Sequence, residues 1–141
     1  VYADITRVAC VKREPTSEES RIFNIVKNAQ DIGFEAVKKP TTGARVDKQV
    51  RAYIAQQGFG DYFIHRTGHN ITTKPHGPGA HLDSLETVDD RPLIENSCFS
   101  IEPGIYLPKK FGIRLESTIL LLSPLAPVIT GGIQSKIFKI N

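Results

Sequence analysis

The chain has 141 residues, a length that fits one domain spanning 1–141. Its 40% hydrophobic and 23% charged content is ordinary for a soluble globular protein. The formal charge is only +3, and the basic residues fall singly or in pairs such as Lys38-Lys39 and Lys109-Lys110, which argues against a nucleic-acid partner.

No apolar run reaches membrane-spanning length and no signal peptide opens the chain, so no membrane association is expected. Met is absent, even at position 1. The start is therefore expected to be a fragment boundary or a processing site. Residues 1–11 (VYADITRVACV) read as a strand, being β-branched and aromatic with few breakers. Its period of two puts Tyr2, Asp4, Thr6 and Val8 on one face, either wet or functional. Cys10 and Cys98 lie far apart in apolar segments and read as two reduced, buried thiols of a cytoplasmic protein.

Thr16-Ser17-Glu18-Glu19 is a capping box. Ile22, Ile25, Val26 and Ala29 follow at helical spacing, predicting a helix over 17–38, with Gly33 a weak point inside it. Pro40-Thr41-Thr42-Gly43 breaks the chain. A second helix is predicted over 44–57 from the stripe Val46, Val50, Tyr53 and Ile54, stopped by Gly58. Residues 59–65 lead into a strand. Residues 70–90, rich in Gly and Pro with no clear period, read as a long loop, and such loops inside compact domains are usually functional or disordered. Histidines at its borders favour function.

Two strands are predicted over 98–107 and 112–122, joined by turn chemistry at Pro108-Lys109-Lys110-Phe111-Gly112. Glu102 and Glu116 each interrupt one of them. A carboxylate among Ile, Phe and Leu costs several kcal/mol to bury unpaired. One such residue would pass as a surface Glu; two on paired strands point to a shared cation. Short strands close the chain near Val128 and Ile137. The order β, α, α, β, β, β is that of an α+β domain.

Three carboxylates, Asp4, Glu102 and Glu116, with the imidazole of His69 would repel one another without a cation and be stable around a divalent one. Such oxygen-rich donors with one imidazole suit Mn, Co, Fe or Zn better than a thiolate-type zinc site does. Shared carboxylates are what a two-metal centre uses to hold ions about 3.5–4 Å apart.

The runs His65-Arg66-Thr67-Gly68-His69, Phe99-Ser100-Ile101-Glu102-Pro103-Gly104-Ile105-Tyr106 and Gly112-Ile113-Arg114-Leu115-Glu116 resemble signature segments of the proline-specific metallopeptidases. These are the Xaa-Pro dipeptidases and Xaa-Pro aminopeptidases of the pita-bread fold, related to methionine aminopeptidase. Asp4-Ile5-Thr6-Arg7 resembles the strand carrying the second aspartate of that family. The resemblance implies the C-terminal portion of a pita-bread fold, a curved antiparallel sheet with two helices. It implies that Asp4 and Glu116 bridge two metal ions and that His69 and Glu102 complete one of them. It implies catalytic roles for Glu102, as acceptor of the attacking water's proton, and for His76, at the scissile carbonyl. His65 would line the pocket for the substrate proline. Arg114, on the same face as Glu116, would orient that glutamate or bind a substrate carboxylate. The substrates would be short proline-containing peptides and the metal a divalent ion, manganese first, with cobalt, iron and zinc as alternatives.

Several features depart from the family pattern. A further aspartate, upstream of the position of Asp4, has no counterpart here. The expectation is therefore one well-held ion, a second site without its own chelator, and doubtful full activity from this chain alone. A half-fold with open strand edges is expected to form a homo-oligomer or to require the N-terminal half. Asn70 and Thr72 replace glycines common after the ligand histidine, and Gly77 stands where many members have an acid. A catalytically inactive peptide- or partner-binding module is the alternative. A metal-free, creatinase-like hydrolase is disfavoured by retention of Asp4, Glu102 and Glu116.

Overall fold

Both halves of the capping box form. The Thr16 hydroxyl accepts from the Glu19 N–H, the Glu19 carboxylate accepts from the Thr16 N–H, and helix α1 runs Ser17–Ala36. This computed structural model describes residues 2–123 and 126–141. Helix α1 buries Ile22, Phe23, Val26, Ala29 and Phe34. Gly33 belongs to the buried face, because a Cβ there would come within 2.9 Å of the Ile101 side chain. The helix stops two residues before the predicted end, as the chain turns towards Pro40.

Helix α2, Gly43–Gln56, buries Val46, Val50 and Ile54, and Gly58 leaves it at φ 85. Thr42 makes no side-chain cap. The first-turn N–H groups that lack a partner within the helix are satisfied instead by the long loop: Gly43 donates to the Arg91 carbonyl and Ala44 to that of Asp89.

Strand β1 is Ala9–Val11, shorter than the predicted 1–11, and pairs in parallel with β8, Phe138–Ile140. Upstream of β1 the chain is extended but joins no ladder. Thr6 bridges Glu116, and at Asp4 a side chain takes the place of a neighbouring strand: the Thr118 hydroxyl accepts from the Asp4 N–H and donates to the Asp4 carbonyl.

Four strands, β2 (Asn70–Ile71), β3 (Ser97–Ile101), β6 (Ser117–Leu121) and β7 (Pro127–Thr130), form one antiparallel sheet in the order β2-β3-β6-β7. Strands β4 (Gly104–Leu107) and β5 (Phe111–Arg114) form a two-stranded ribbon. Each of the two strands predicted over 98–107 and 112–122 is therefore split. The splits fall at Glu102-Pro103 and Leu115-Glu116, where Pro103 has no N–H to give a ladder. The register is nonetheless continuous: Ile101 faces Ser117 on one side of the gap and Gly104 faces Arg114 on the other. The gap is where the carboxylates sit.

The helices cover one face of this folded ribbon. Phe99, Ile101, Ile105, Ile113, Ile119 and Leu121 all pack into the cores shared with α1 and α2. By the alternation of strands, Ser100, Glu102, Arg114, Glu116 and Thr118 belong to the other face.

Candidate metal centre

Four of the side chains singled out in the sequence meet on that other face. Ligand atoms of Asp4, His69 and Glu116 all lie within 4.8 Å of one another. His69 Nε2 is 3.5 Å from Asp4 Oδ2 and 3.3 Å from Glu102 Oε1. His69, Glu102 and Glu116 are buried, and Asp4 is half-buried.

The backbone explains the convergence. His69 immediately precedes β2, which pairs with β3, so its ring approaches Glu102 at the far end of β3. Ser100, fully buried, joins the two: its hydroxyl accepts from the His69 N–H at 3.0 Å and donates to Glu102 Oε1 at 2.9 Å. The Ser100 N–H returns a bond to the His69 carbonyl, and Glu102 N–H bonds the Thr67 carbonyl. No side chain could replace Gly68, whose Cβ would lie 1.9 Å from the Ser100 carbonyl oxygen. Glu116 is fixed by the Thr6 hydroxyl, which donates to its Oε2 at 2.6 Å. Arg114 reaches over both glutamates, with Nη1 3.7 Å from Glu102 Oε2 and Nη2 3.9 Å from Glu116 Oε2, and its Nε donates to Thr6.

These donors fit a divalent cation. His69 Nδ1 lies 3.3 Å from the Asn70 carbonyl, the position of a donated proton. Nε2 then carries the lone pair and faces two carboxylate oxygens. Burial lowers the His69 pKa, which disfavours resolving that clash by protonation. Burial and the neighbouring Glu116 push Glu102 up to about 7, and burial with Asp4 nearby pushes Glu116 up as well. Acceptors turned on acceptors in a desolvated site are stable around a positive ion.

The remaining predicted residues are distributed around this cluster. The His76 ring packs on that of His69, with centroids 4.1 Å apart. His65 makes no bond to the four; its Nδ1 faces the Arg66 carbonyl at 2.8 Å and its Nε2 the Tyr106 hydroxyl at 2.7 Å. With a proton on Nδ1, Nε2 accepts from Tyr106. A cavity of about 480 Å³ lined by Thr6, Arg7, Tyr106 and Arg114, among others, opens beside the cluster. His81, without a motif in the sequence, accepts through Nδ1 from the Asn70 N–H at 3.1 Å.

Sequence reasoning missed Ser100, Thr6, Thr118 and Asp47. For Ser100 a signal existed: two residues before Glu102 on one strand means the same face. Asp47 sits beside Val46 in the apolar stripe of α2 and is completely buried. An acid at a core position of a helix is itself a sign of a satisfied polar network.

Two helices laid on antiparallel strands, with a His and three carboxylates gathered on the opposite face, define the class as an α+β fold bearing a candidate metal centre. The chain belongs to metallopeptidase family M24, whose model matches residues 1–122. It is 37% identical over 119 residues to an Xaa-Pro dipeptidase of Pyrococcus furiosus, covering 84% of this chain and 33% of that protein. It is 39% identical over 115 residues to an Xaa-Pro dipeptidase of Lactobacillus delbrueckii subsp. lactis, covering 82% and 30%. The crystal structure of an X-Pro aminopeptidase from Thermotoga maritima superposes with a TM-score of 0.87 at 36% identity, over 98% of this chain and 38% of that one. The fold is thus the pita-bread α+β arrangement, and the chain spans about a third of the length of the curated relatives it matches.

Proposed function

We propose that this chain carries the metal-dependent hydrolytic site of an Xaa-Pro peptidase, cleaving the bond before proline in short peptides. The single observation that supports this reading is the confrontation of His69 Nε2 with Asp4 and Glu102 at 3.5 and 3.3 Å, with Glu116 in the same cluster. In this reading Asp4, His69, Glu102 and Glu116 hold a divalent ion, manganese being our choice from the hard oxygen donors. When bound, such an ion polarises a scissile carbonyl and lowers the pKa of water.

The chain's own groups do the rest. Glu102, one oxygen of which accepts from the Ser100 hydroxyl, takes the proton of the attacking water. His76, beside the His69 ring, donates to the scissile carbonyl. His65, held by Tyr106, lines the proline pocket. Arg114, half-exposed above the glutamates, orients them and meets a substrate carboxylate. Cytoplasmic residence is part of the proposal and is supported by two unpaired buried thiols; no helix among the described residues is long and apolar enough to cross a membrane.

The test is hydrolysis of Gly-Pro and Ala-Pro peptides with and without added manganese. The reading expects manganese-dependent release of the residue before proline, abolished in Glu102→Gln. Manganese uptake without hydrolysis, with proline peptides still bound, would favour a peptide-binding module instead, and no uptake would overturn the reading.

A further inference from the structure

Asp47 is remote from the four donors in sequence, yet it closes the loop that carries two of the site's rings. The segment from Thr67 to Ser84 contains His69, His76 and His81. Its two ends are tied to the same carboxylate. Asp47 Oδ1 accepts from the Thr67 N–H at 2.9 Å and hydroxyl at 2.6 Å. Asp47 Oδ2 accepts from the Ser84 N–H at 3.0 Å and hydroxyl at 2.5 Å. Arg51, one turn along α2, adds a bond to each oxygen and donates onward to the Phe63 and His65 carbonyls. Just inside this tie, Gly68 and Leu82 exchange both backbone hydrogen bonds. Thr67 also accepts from the Glu102 N–H, so the anchored residue touches the glutamate strand directly.

Resting on the metal-site reading above, we propose that Asp47 is a positioning residue for that site: it clamps the base of the loop from residue 67 to residue 84 and thereby fixes the His69 ring, with the His76 ring packed on it, against Glu102. A fully buried carboxylate with six donors is more than packing requires. Its partners are concentrated at the two ends of one loop and one turn along its own helix. The loop contains two Pro and two Gly between His69 and Ala80 and has little secondary structure of its own. Without a closed base its rings would sample many positions, and a ligand set loses affinity when its outer supports are lost.

The test compares the wild-type chain with Asp47→Asn, Thr67→Val, Thr67→Ser and a core control, Val26→Ala, at temperatures where circular dichroism shows all of them folded. Val26 is fully buried in α1 and outside the loop network. Manganese affinity is read from the electron paramagnetic resonance of the free ion. Asp47→Asn is expected to weaken it about tenfold; Thr67→Val should weaken it less, and Thr67→Ser and Val26→Ala should stay near wild type. In the metal-free chains, amide exchange at Gly68 and Leu82 should speed up and the His69–His76 ring contact should weaken in Asp47→Asn, less so in Thr67→Val, and not in Thr67→Ser or Val26→Ala. Equal behaviour of Asp47→Asn and Val26→Ala in affinity and exchange would overturn the inference. A wild type that takes up no manganese overturns the metal-site reading instead, and the exchange and ring-contact measurements then decide the role of Asp47 by themselves.

Discussion

Glu102 and Glu116 stand opposite each other across the gap in one continuous antiparallel register, between the Ile101–Ser117 pair and the Gly104–Arg114 pair. Like charges directly opposite on paired strands destabilise a sheet. Both carboxylates are buried, and both are pushed above the ordinary carboxylate range.

Removing one of these charges should therefore stabilise the metal-free chain. Glu102→Gln is expected to raise the unfolding free energy without metal by on the order of 1–3 kcal/mol. The same variant should lose the stabilisation that manganese gives the wild type. Chemical denaturation with and without manganese checks both halves, and a metal-free Glu102→Gln less stable than wild type would refute the account.

The sign of the pH dependence follows from the same group. Glu102 ionises near 7 in the folded chain and at an ordinary lower value when unfolded. The unfolded state therefore releases its proton first as pH rises. The contribution of Glu102 is fully present below its unfolded pKa and is lost progressively as pH climbs through about 7. Metal-free melting temperatures should fall between roughly pH 4.5 and pH 7, the window between those two values. Saturating manganese should flatten or reverse that slope.

Asp47 contributes with the opposite sign. Burial pushes its carboxyl up, but the hydrogen bonds from Arg51, Ser84 and Thr67 outweigh that and hold it below the ordinary range. Its stabilisation is present above the unfolded pKa and is lost as pH falls through the folded one. Asp47→Asn should therefore flatten the acid limb of the stability profile, below roughly pH 4, relative to wild type.

Ser100→Ala leaves the His69 N–H unpaired and frees Glu102 Oε1. The cost should be about 1–3 kcal/mol in stability, the penalty of an unsatisfied buried donor. Ser100→Thr keeps the hydroxyl but adds a methyl in a closed site, so it should restore part of the metal affinity and less of the stability. Calorimetry with manganese titration separates the two effects.

Metal stoichiometry is a direct check on the donor set. Calorimetric titration should find one tight manganese site per chain. At a hundredfold excess over Kd the ion should add about 2.7 kcal/mol to stability. Two equally tight sites per chain would contradict the reading, because the described acids gather around one His.

Much of this was legible in the sequence because short-range chemistry and long-range outcome agree. The Thr16–Glu19 box starts α1 where the residues say it should. Glu102 and Glu116 looked out of place among Ile and Leu, and the structure brings them together near His69. The splitting of both strands was hidden: their apolar alternation runs on past the gap, and the break is made by Pro103 and by the carboxylates themselves. The residues before β1 read as strand by composition, yet at Asp4 their partner is a hydroxyl that no local pattern announces. The partners of Asp47 were hidden for a related reason, since its six donors come from residues 51, 67 and 84.

Three of the four donors belong to the packed body, whereas Asp4 is held at its backbone by the Thr118 hydroxyl, and its side chain remains 38% exposed. The cluster thus has one side turned to solvent, and there the Thr118 hydroxyl stands in for a sheet neighbour in holding the donor's backbone.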